Sequence, residues 1–524
     1  MDRERTAKDV GIVMGGNFLS LLLGLASSVT VAAYFGVGKQ LDAFMAAYMF
    51  PDILGQLVSS VSMLVLIPVF LNKKITEGEN VAWETINKIN TICLLFLSVG
   101  TIAFITFSPL LIRIAAPGFN NDTFALSCRL LRILSFSVLL LGCSALASSL
   151  LQAHNHFTAP SLSRPLTQIF VIGVILLFSR SLGIYAYAIG TVVGLLVGAF
   201  IQIPPLISKG RLRLDFDLSH SNVKSTFFSL PILILARVMN HGTNIAITAF
   251  ASTLVVGSIS ALTFAWKIVS IPMMVTSSLS VVLYTAISQE IAKKDFIALK
   301  RILMKAIKLS IYIGVPFTIF FLFFRVPIVR MLFERGRFNS EQSLLTAEVL
   351  MFYCLMIVFQ SVNLLIGNAY WALGLMRIRL KIEVAGIIVC ILSCLLLSKY
   401  LGAGGLALSI STQYIFLTVI GLKILKERVL NDFDTRGLIS YGFKVTLASV
   451  LSGLTTKMLM DVFPGLGDAG LVGKIGYIVC LGVIGAGSYM LFCFSLKIEE
   501  NREMLALFMN KVMDIRRKLK FNFL

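Results

Sequence analysis

Charged residues are scarce in this chain of 524 residues. Only 14% of the sequence is Asp, Glu, Lys or Arg, whereas 57% is hydrophobic. Soluble globular domains carry about 25% charged residues, so this balance excludes an ordinary soluble protein. The composition instead predicts a polytopic membrane protein.

Cysteine and proline are also few, and this excludes several other classes. The 8 Cys residues fall in or beside apolar runs, where a thiol behaves as a small hydrophobic group, so no disulfide framework is expected. Cys390 and Cys394 share a helical face, but we expect no metal site there. With 13 Pro and 39 Gly, the chain is neither collagen-like nor disordered.

Motifs of enzymes and nucleotide-binding proteins are missing. The sequence contains no Walker-type phosphate loop, Rossmann fingerprint, GxSxG elbow or HExxH helix. The loops are too short for an inserted catalytic domain, and His154 and His156 lie in a short turn without partner ligands. We therefore expect a protein that is not an enzyme and has no cofactor or bound metal.

Long apolar runs, by contrast, are abundant. A helix needs about 20 apolar residues to cross the hydrocarbon core of a bilayer. Scanning with this template predicts an all-α membrane protein with about fourteen transmembrane helices. The predicted spans are 10–36, 42–71, 89–115, 127–152, 159–179, 183–207, 225–252, 256–288, 303–324, 343–372, 382–398, 402–422, 438–460 and 470–496.

The positive charges predict an orientation and exclude one kind of partner. Most of the 46 Lys and Arg residues lie on one side of the predicted spans, which by the positive-inside rule places both termini in the cytoplasm. The net charge of +20 does not indicate nucleic acid binding, because such proteins carry their basic residues on a soluble surface. The basic, amphipathic tail at 498–524 is predicted to lie on anionic lipid headgroups.

The sequence repeats itself at an offset of 218 residues. At this offset residues 58–62 match 276–280, and residues 109–111 match 327–329. Two separated matches at one offset indicate a repeat of six helices. A third, near match pairs Gly118, Phe119 and Asn120 with Gly336, Phe338 and Asn339.

An even number of helices makes the two repeats parallel, which suits transport by alternating access. A channel is disfavoured, because no filter-like segment is repeated at the midplane. We expect two pseudo-symmetric lobes, an extra helix pair and a cytoplasmic tail. The predicted boundaries are 1–208, 209–425, 426–497 and 498–524.

Polar side chains inside the spans are candidates for substrate binding, because an ionisable group that faces lipid is costly. Lys267 lies near the middle of the eighth span, and Asn17 and Ser27 belong to a face of small residues in the first. The alternatives are that the cations pair with carbonyls or snorkel, and that the small residues serve helix packing. The seventh span carries a polar stripe of Arg237, Asn240, Asn244 and Thr248.

Three acidic residues are candidates for other roles. Asp42 follows a glycine-containing turn at the start of the second span, where it could cap a helix or latch a gate. Glu348 and Glu383 could couple transport to an ion, but Glu383 could equally pair with Arg379 or Lys381. Fixed cations and few acids suit an anionic cargo, and openings between the lobes would admit a lipid tail.

Short motifs occur in a characteristic order along the first twelve spans. They are 24–26 (GLA), 32–38 (AAYFGVG), 42–44 (DAF), Pro51, 67–70 (IPVF), 116–119 (APGF), Asn155 with Phe157 and Pro160, and 332–338 (LFERGRF). In this order they resemble the MurJ/MviN family of lipid II flippases. That family belongs to the MOP superfamily, which has two pseudo-symmetric lobes.

The resemblance implies a flippase of the bacterial cytoplasmic membrane that moves a polyprenyl-diphosphate-linked saccharide, lipid II, to the outer leaflet for peptidoglycan synthesis. Enzymes of cell-wall or glycan synthesis are then expected partners. Two alternatives stay open within the same superfamily. One is a flippase for another polyprenyl-linked glycan of the exopolysaccharide or O-antigen type, and the other is a multidrug or cation antiporter.

The resemblance also implies roles for individual residues. Asp42 matches the family's acid at the start of the second span, and Lys267 takes the place of a cavity arginine. The acid of the family's proposed sodium site in the seventh span is missing, which leaves the coupling ion open. Basic residues expected in the first two spans are replaced by Leu21, Ser27, Gly55 and Gln56.

Overall fold

The computed structural model describes residues 3–208, 213, 215, 241–293, 295–429, 434–462 and 471–502. Every regular element in these residues is a helix, which confirms the all-α prediction. In chain order they are α1 (Arg3–Phe35), α2 (Lys39–Val61), α3 (Ile67–Thr76), α4 (Glu79–Thr106), α5 (Ser108–Ala115), α6 (Asn121–Leu134), α7 (Phe136–Ala153), α8 (Thr158–Leu182), α9 (Tyr185–Phe200), α10 (Ile203–Ile207), α11 (described over 241–252), α12 (Ser258–Ala292), α13 (Phe296–Phe333), α14 (Ser340–Tyr353), α15 (Met356–Ala372), α16 (Met376–Arg428), α17 (Thr435–Val462) and α18 (Leu471–Ser495).

Each predicted span coincides with helical residues wherever the chain is described. Among the described residues, eight helical segments are long and apolar enough to cross a membrane, and α14 with α15 gives a ninth if this pair, bent by 42°, is one span. Helix α16 has 53 residues, or about 80 Å, more than twice the bilayer core. It breaks at Gly402 (φ 52°, ψ −130°), so it provides two helices. The total of fourteen spans stays a prediction.

The predicted span 42–71 is not one regular helix. Helix α2 ends at Val61, a single π-helical turn covers Ser62–Leu66, and α3 continues from Ile67 with Pro68 in its first turn. Proline has no backbone N–H, and its ring clashes with the carbonyl group four residues earlier in the chain. The regular helical hydrogen bonds therefore cannot continue through it. The π-turn accommodates this interruption without ending the span.

The chain divides into two compact units. The first comprises Met1–Phe264 with Phe333–Ser343, and the second comprises Ala265–Leu332 with Leu344–Leu524. In the first unit, α3, α4 and α7 bury an apolar cluster that includes Phe70, Ile86 and Leu151. In the second unit, α13, α15 and α16 bury another that includes Ile307, Ile366, Tyr370 and Leu417. Between helices in a bilayer, such clusters are stabilised by van der Waals packing, because the lipid chains are as apolar as these side chains.

The extra helix pair is joined to α13 of the second unit by a polar cluster. The Tyr489 hydroxyl donates to the Tyr312 carbonyl at 2.9 Å, and the Tyr312 hydroxyl donates to Asn501 Oδ1 at 2.7 Å. Lys308 lies 5.2 Å from the ring centre of Tyr441 on α17. The basic tail continues from this cluster, but 503–524 lies outside the described residues, so its binding to lipid stays a prediction.

Candidate functional site

Asp42, in the first turn of α2, is a buried carboxylate with three hydrogen-bond donors. Its Oδ2 accepts from the Gly257 amide at 2.6 Å, and its Oδ1 accepts from the Ser260 amide at 2.8 Å and the Ser260 hydroxyl at 2.6 Å. The side chain is only 5% exposed. We call this contact of Asp42 with Gly257 and Ser260 the latch; all three residues belong to the first unit.

The structure shows one of the two roles considered for Asp42, helix capping, while a role in gating stays a prediction. Gly257 and Ser260 lie at the beginning of α12, where amide groups have no partner within the helix and the helix dipole is positive. A carboxylate at this place satisfies those amides and interacts favourably with the dipole. Asp42 therefore caps a helix, but it caps α12 and not its own helix.

A second contact lies beside the latch, between the end of α1 with the turn after it and the start of α14 with the segment before it. The Gln342 side chain accepts from the Val37 amide at 2.9 Å and donates to the Val37 carbonyl at 2.8 Å. The Arg337 amide donates to the Ala33 carbonyl at 2.8 Å. Next to it, Gly336 has φ of +60°, and a Cβ there would clash with the Ala33 carbonyl. Only glycine adopts this backbone at such close approach without strain.

Gly118, the counterpart of Gly336 at the repeat offset, makes a similar approach. Its amide donates to the Ser252 hydroxyl at the end of α11 at 3.0 Å, and an added Cβ would lie 2.5 Å from the Ser252 carbonyl oxygen. Both turns also cap the next helix through asparagine. Asn120 Oδ1 accepts from the Thr123 amide at 3.0 Å, and Asn339 Oδ1 accepts from the Gln342 amide at 2.9 Å.

Sequence reasoning missed Ser260 and Gln342. The repeat carried a signal for Ser260, because it occupies the position of Asp42 at the 218-residue offset. No pattern pointed to Gln342, since its function depends on meeting the backbone of Val37 from 305 residues away. The sequence paired Gly118 with Gly336 as part of the repeat, but it did not predict that each lies close to the backbone of another helix.

A polar stripe runs down α2 from the latch. It contains Asp52, which is half-buried and accepts from Gln56 Nε2 at 2.8 Å, and the exposed Gln56 and Ser59. Arg164 on α8 is exposed; it lies in the predicted span 159–179, and the sequence indicated no role for it.

The predicted substrate-binding residues have different environments. Asn17 on α1 and Asn244 on α11 are exposed, whereas Ser27 is 5% exposed within the helix packing of the first unit. Arg237 and Asn240 lie outside the described residues. Their part in substrate binding stays a prediction, and burial makes Ser27 the least accessible of the described ones.

Lys267 lies in α12, in the part that belongs to the second unit, and its side chain is half-buried. It has an interaction partner, so it is not an isolated cation. The neighbouring Trp266 is 36% exposed, and its ring meets Tyr353 edge-on with centroids 5.9 Å apart. An accessible indole beside a cation suits an amphipathic ligand.

The two acids considered for ion coupling differ from each other. Glu383 forms a salt bridge with Arg379, one of the two partners expected for it, and Arg379 also donates to Asn363 Oδ1 at 3.0 Å. Glu348 on α14 is exposed, and a Cβ on Gly404 would lie 3.2 Å from its carboxylate. Of the two, Glu348 has the more accessible carboxylate.

The fold is one that this chain shares with known multi-pass membrane transporters. The structure is similar to the lipid II flippase MurJ in an inward closed conformation, with a TM-score of 0.77 and 24% identity over 92% of this chain and 97% of that one. It is also similar to an inward-facing MATE multidrug transporter of the MOP superfamily, with a TM-score of 0.69 and 14% identity over 79% and 95% of the two chains.

The sequence defines the family. Residues 31–465 match the family described as lipid II flippase MurJ, so the chain belongs to that family. The probable lipid II flippase MurJ of Buchnera aphidicola subsp. Acyrthosiphon pisum is 28% identical over 422 residues, which cover 79% of this chain and 82% of the relative. The resemblance drawn from the short motifs is thus confirmed.

Proposed function

We propose that this protein flips lipid II across the bacterial cytoplasmic membrane by alternating access. The observation that carries the proposal is the family match over residues 31–465, which includes every element of the latch. Lipid II is named in the family description and in the names of the relatives. Neither the multidrug nor the other glycan alternative has comparable support.

The latch is proposed to be one gate of this cycle. Alternating access requires that one end of the transport path closes and opens reversibly. The latch consists of a carboxylate and the amide and hydroxyl groups of Gly257 and Ser260, all of which water can satisfy once they separate. Opening therefore leaves no buried charge without a partner, and the free energies of the two states can stay close.

The direction of transport follows from the predicted orientation. With both termini in the cytoplasm, the turn after α1 lies on the outer side, so the latch closes the outer end. Head groups then enter from the cytoplasmic side when the latch is formed and leave after it opens. Enzymes of cell-wall synthesis are proposed to supply the cargo, and anionic lipids to hold the basic tail.

Binding of the anionic head group is assigned to the polar residues named from the sequence. Arg237 and Lys267 would contact the diphosphate, with Asn17, Asn240 and Asn244 as hydrogen-bonding partners of the saccharide. Ser27 would need to become exposed during the cycle. Glu348 is the preferred candidate for ion coupling, because Arg379 already neutralises Glu383.

The direct test is a flipping assay in proteoliposomes with fluorescent lipid II and an impermeant quencher. We expect the fluorescent lipid II of the inner leaflet to become accessible to the quencher faster than in protein-free vesicles. With Lys267→Gln it should become accessible more slowly than with the unmodified protein. Lys444→Gln, an exposed cation of α17, is the matched control and should behave as the unmodified protein. Flipping of lipid II no faster than in empty vesicles would refute the proposal. Faster flipping of an O-antigen-type polyprenyl-linked glycan than of lipid II would identify that glycan as the cargo instead.

A further inference from the structure

We infer that Arg379 is a tethered cation, whose guanidinium fills a site between α15 and α16 that would otherwise suit a free alkali cation. Glu383 therefore cannot couple transport to a gradient of such an ion. This consequence for coupling rests on the proposed function, whereas the occupancy of the site does not. The inference starts from Glu383, a candidate for ion coupling in the sequence, and from the groups that surround it in the structure.

Three side chains from two helices meet at this site. Arg379 lies in the first turn of α16, and Glu383 follows one turn later. The Arg379 guanidinium forms a salt bridge with the Glu383 carboxylate through Nη2 and donates through Nη1 to Asn363 Oδ1 on α15 at 3.0 Å. The side chains of Arg379 and Glu383 are 11% and 19% exposed, and Asn363 is buried. One cation thus joins two oxygen acceptors in a largely buried place.

The guanidinium lies against one face of α15. A Cβ on Gly367 would lie 3.6 Å from Arg379 Cζ and Nη2, an ordinary van der Waals distance. Asn363 is one turn before Gly367, and Gln360 is one turn before Asn363, so the three share this face. Gln360 Oε1 is buried and has no hydrogen-bond partner among the described residues. The face that receives Arg379 therefore carries a second amide oxygen, which is not yet bonded.

Glu383 belongs to a segment that can cross a membrane. It lies in the predicted span 382–398, within a helix that is long and apolar enough for this. A carboxylate inside a membrane is costly unless a cation is paired with it. Lys381, the other basic neighbour in sequence, is exposed, and Arg379 supplies the charge.

The same oxygen atoms would suit a free metal cation. Carboxylate and amide oxygens are the ligands that hard cations prefer. An alkali cation such as Na⁺ carries one positive charge, as a guanidinium does, so either balances Glu383. The two differ in attachment, because the guanidinium is fixed to the same helix one turn away. This attachment gives it a high effective concentration, against which a free cation competes poorly.

Attachment also decides what Glu383 can do during transport. An ion that couples transport must bind in one state of the cycle and leave in another, because only a difference in affinity shifts the equilibrium. Arg379 cannot leave, since it is part of the chain. The pair instead holds the start of α16 to α15, and Glu383 contributes to packing and not to coupling.

Thermal unfolding of the purified full-length protein in detergent tests the inference. It is measured in NaCl and in choline chloride at the same concentration, because choline has the charge of Na⁺ but is too large to take its place. For Arg379→Ala we expect a Tm about 2 °C or more higher in NaCl, since Na⁺ binds the vacated oxygens and stabilises the folded state. The unmodified protein should have the same Tm in both salts.

Three variants show whether the response belongs to this site. Arg377→Ala, which removes an exposed arginine two residues earlier, should give equal Tm values in the two salts. Arg379→Lys should do the same, because it keeps a tethered charge. Arg379→Ala combined with Glu383→Gln should also show no difference, because the charged ligand is gone. If Arg379→Ala is too unstable to purify, Arg379→Gln takes its place with the same expected response.

Two results would overturn the occupancy of the site by Arg379. Equal Tm values in the two salts, for both Arg379→Ala and Arg379→Gln, would leave an ordinary salt bridge. A rise in Tm with Na⁺ for the unmodified protein that Glu383→Gln abolishes would show that a free cation displaces the guanidinium.

The consequence for coupling is tested by flipping in proteoliposomes. The unmodified protein and Glu383→Gln should respond alike when choline replaces Na⁺. Flipping that is faster in NaCl for the unmodified protein, but equal in both salts for Glu383→Gln, would show that Glu383 does couple transport to Na⁺. Absence of lipid II flipping under all conditions would instead overturn the proposed function and leave the unfolding results unaffected.

Discussion

Asp42 and Ser260 occupy the same position in the two repeats, 218 residues apart, and they bind each other directly. Two equivalent positions of a repeat can contact each other only near the axis that relates the repeats. Such a contact cannot be symmetric if both positions are acidic, because like charges at this distance repel. One repeat therefore supplies the acceptor, Asp42, and the other supplies the donors at the start of α12.

The first prediction concerns the latch. Asp42→Ala should weaken the closed state by about 1.5 to 3 kcal/mol, the value of hydrogen bonds to a charged group, and so raise the open fraction at least about tenfold. Thiol labelling of Ser252→Cys at the neighbouring helix end, in a background without native cysteines, measures the change. Asp122→Asn in the first turn of α6 is the control, and equal labelling of both variants would contradict the assignment.

The second prediction separates steric clash from backbone strain. Gly336→Ala places a Cβ against the Ala33 carbonyl at a positive φ, whereas Gly374→Ala has a positive φ of 70° and open space around it. Strain alone costs about 1 to 2 kcal/mol. We expect Gly336→Ala to lower both the Tm and the flipping rate, and Gly374→Ala to lower the Tm only slightly. A similar effect of both variants would show that the close contact with Ala33 is unimportant.

The third prediction concerns the Gln342 side chain, which acts as both donor and acceptor toward Val37. Gln342→Glu removes the donor and places a carboxylate beside the Val37 carbonyl oxygen, so the contact should open. Flipping should slow several-fold, and the introduced thiol at position 252 should react faster. Gln289→Glu, at an exposed position in α12, should leave both readouts unchanged.

The fourth prediction concerns the salt bridge of Arg379 and Glu383. Arg379→Ala leaves a half-buried carboxylate without its partner and should destabilise the protein by about 3 to 5 kcal/mol. Replacing both residues by alanine should cost less than this single change, because no unpaired charge remains. Thermal unfolding in detergent measures the stability of the single and double variants. Arg377→Ala, at an exposed position, is the control. A double variant less stable than Arg379→Ala would rule out this explanation.

Much of the architecture could be predicted because apolar length is a local property of the sequence. The composition and the apolar runs identified a polytopic helical protein, and the motifs identified its family. The interruptions were not predicted. The span that contains Pro68 reads as one apolar segment in the sequence, whereas in the structure a π-turn at Ser62–Leu66 interrupts it.

The candidate site was predicted in part. Asp42 stood out because it follows a glycine-containing turn at the start of a span, but its partner Ser260 was missed although it lies 218 residues away, at the repeat offset. Glu383 had two charged neighbours in sequence, and only the direction of the helix face selected Arg379 over Lys381.

The sequence by itself determined the class, the family and the repeat, since these depend on residue types and on their spacing along one chain. The tertiary structure decided which groups meet: the Asp42 carboxylate with the amides of α12, and the Gln342 amide with the backbone of Val37. Hydrogen bonds and ion pairs act over a few ångströms, so their partners are fixed by how the helices pack and not by how far apart they lie in the chain.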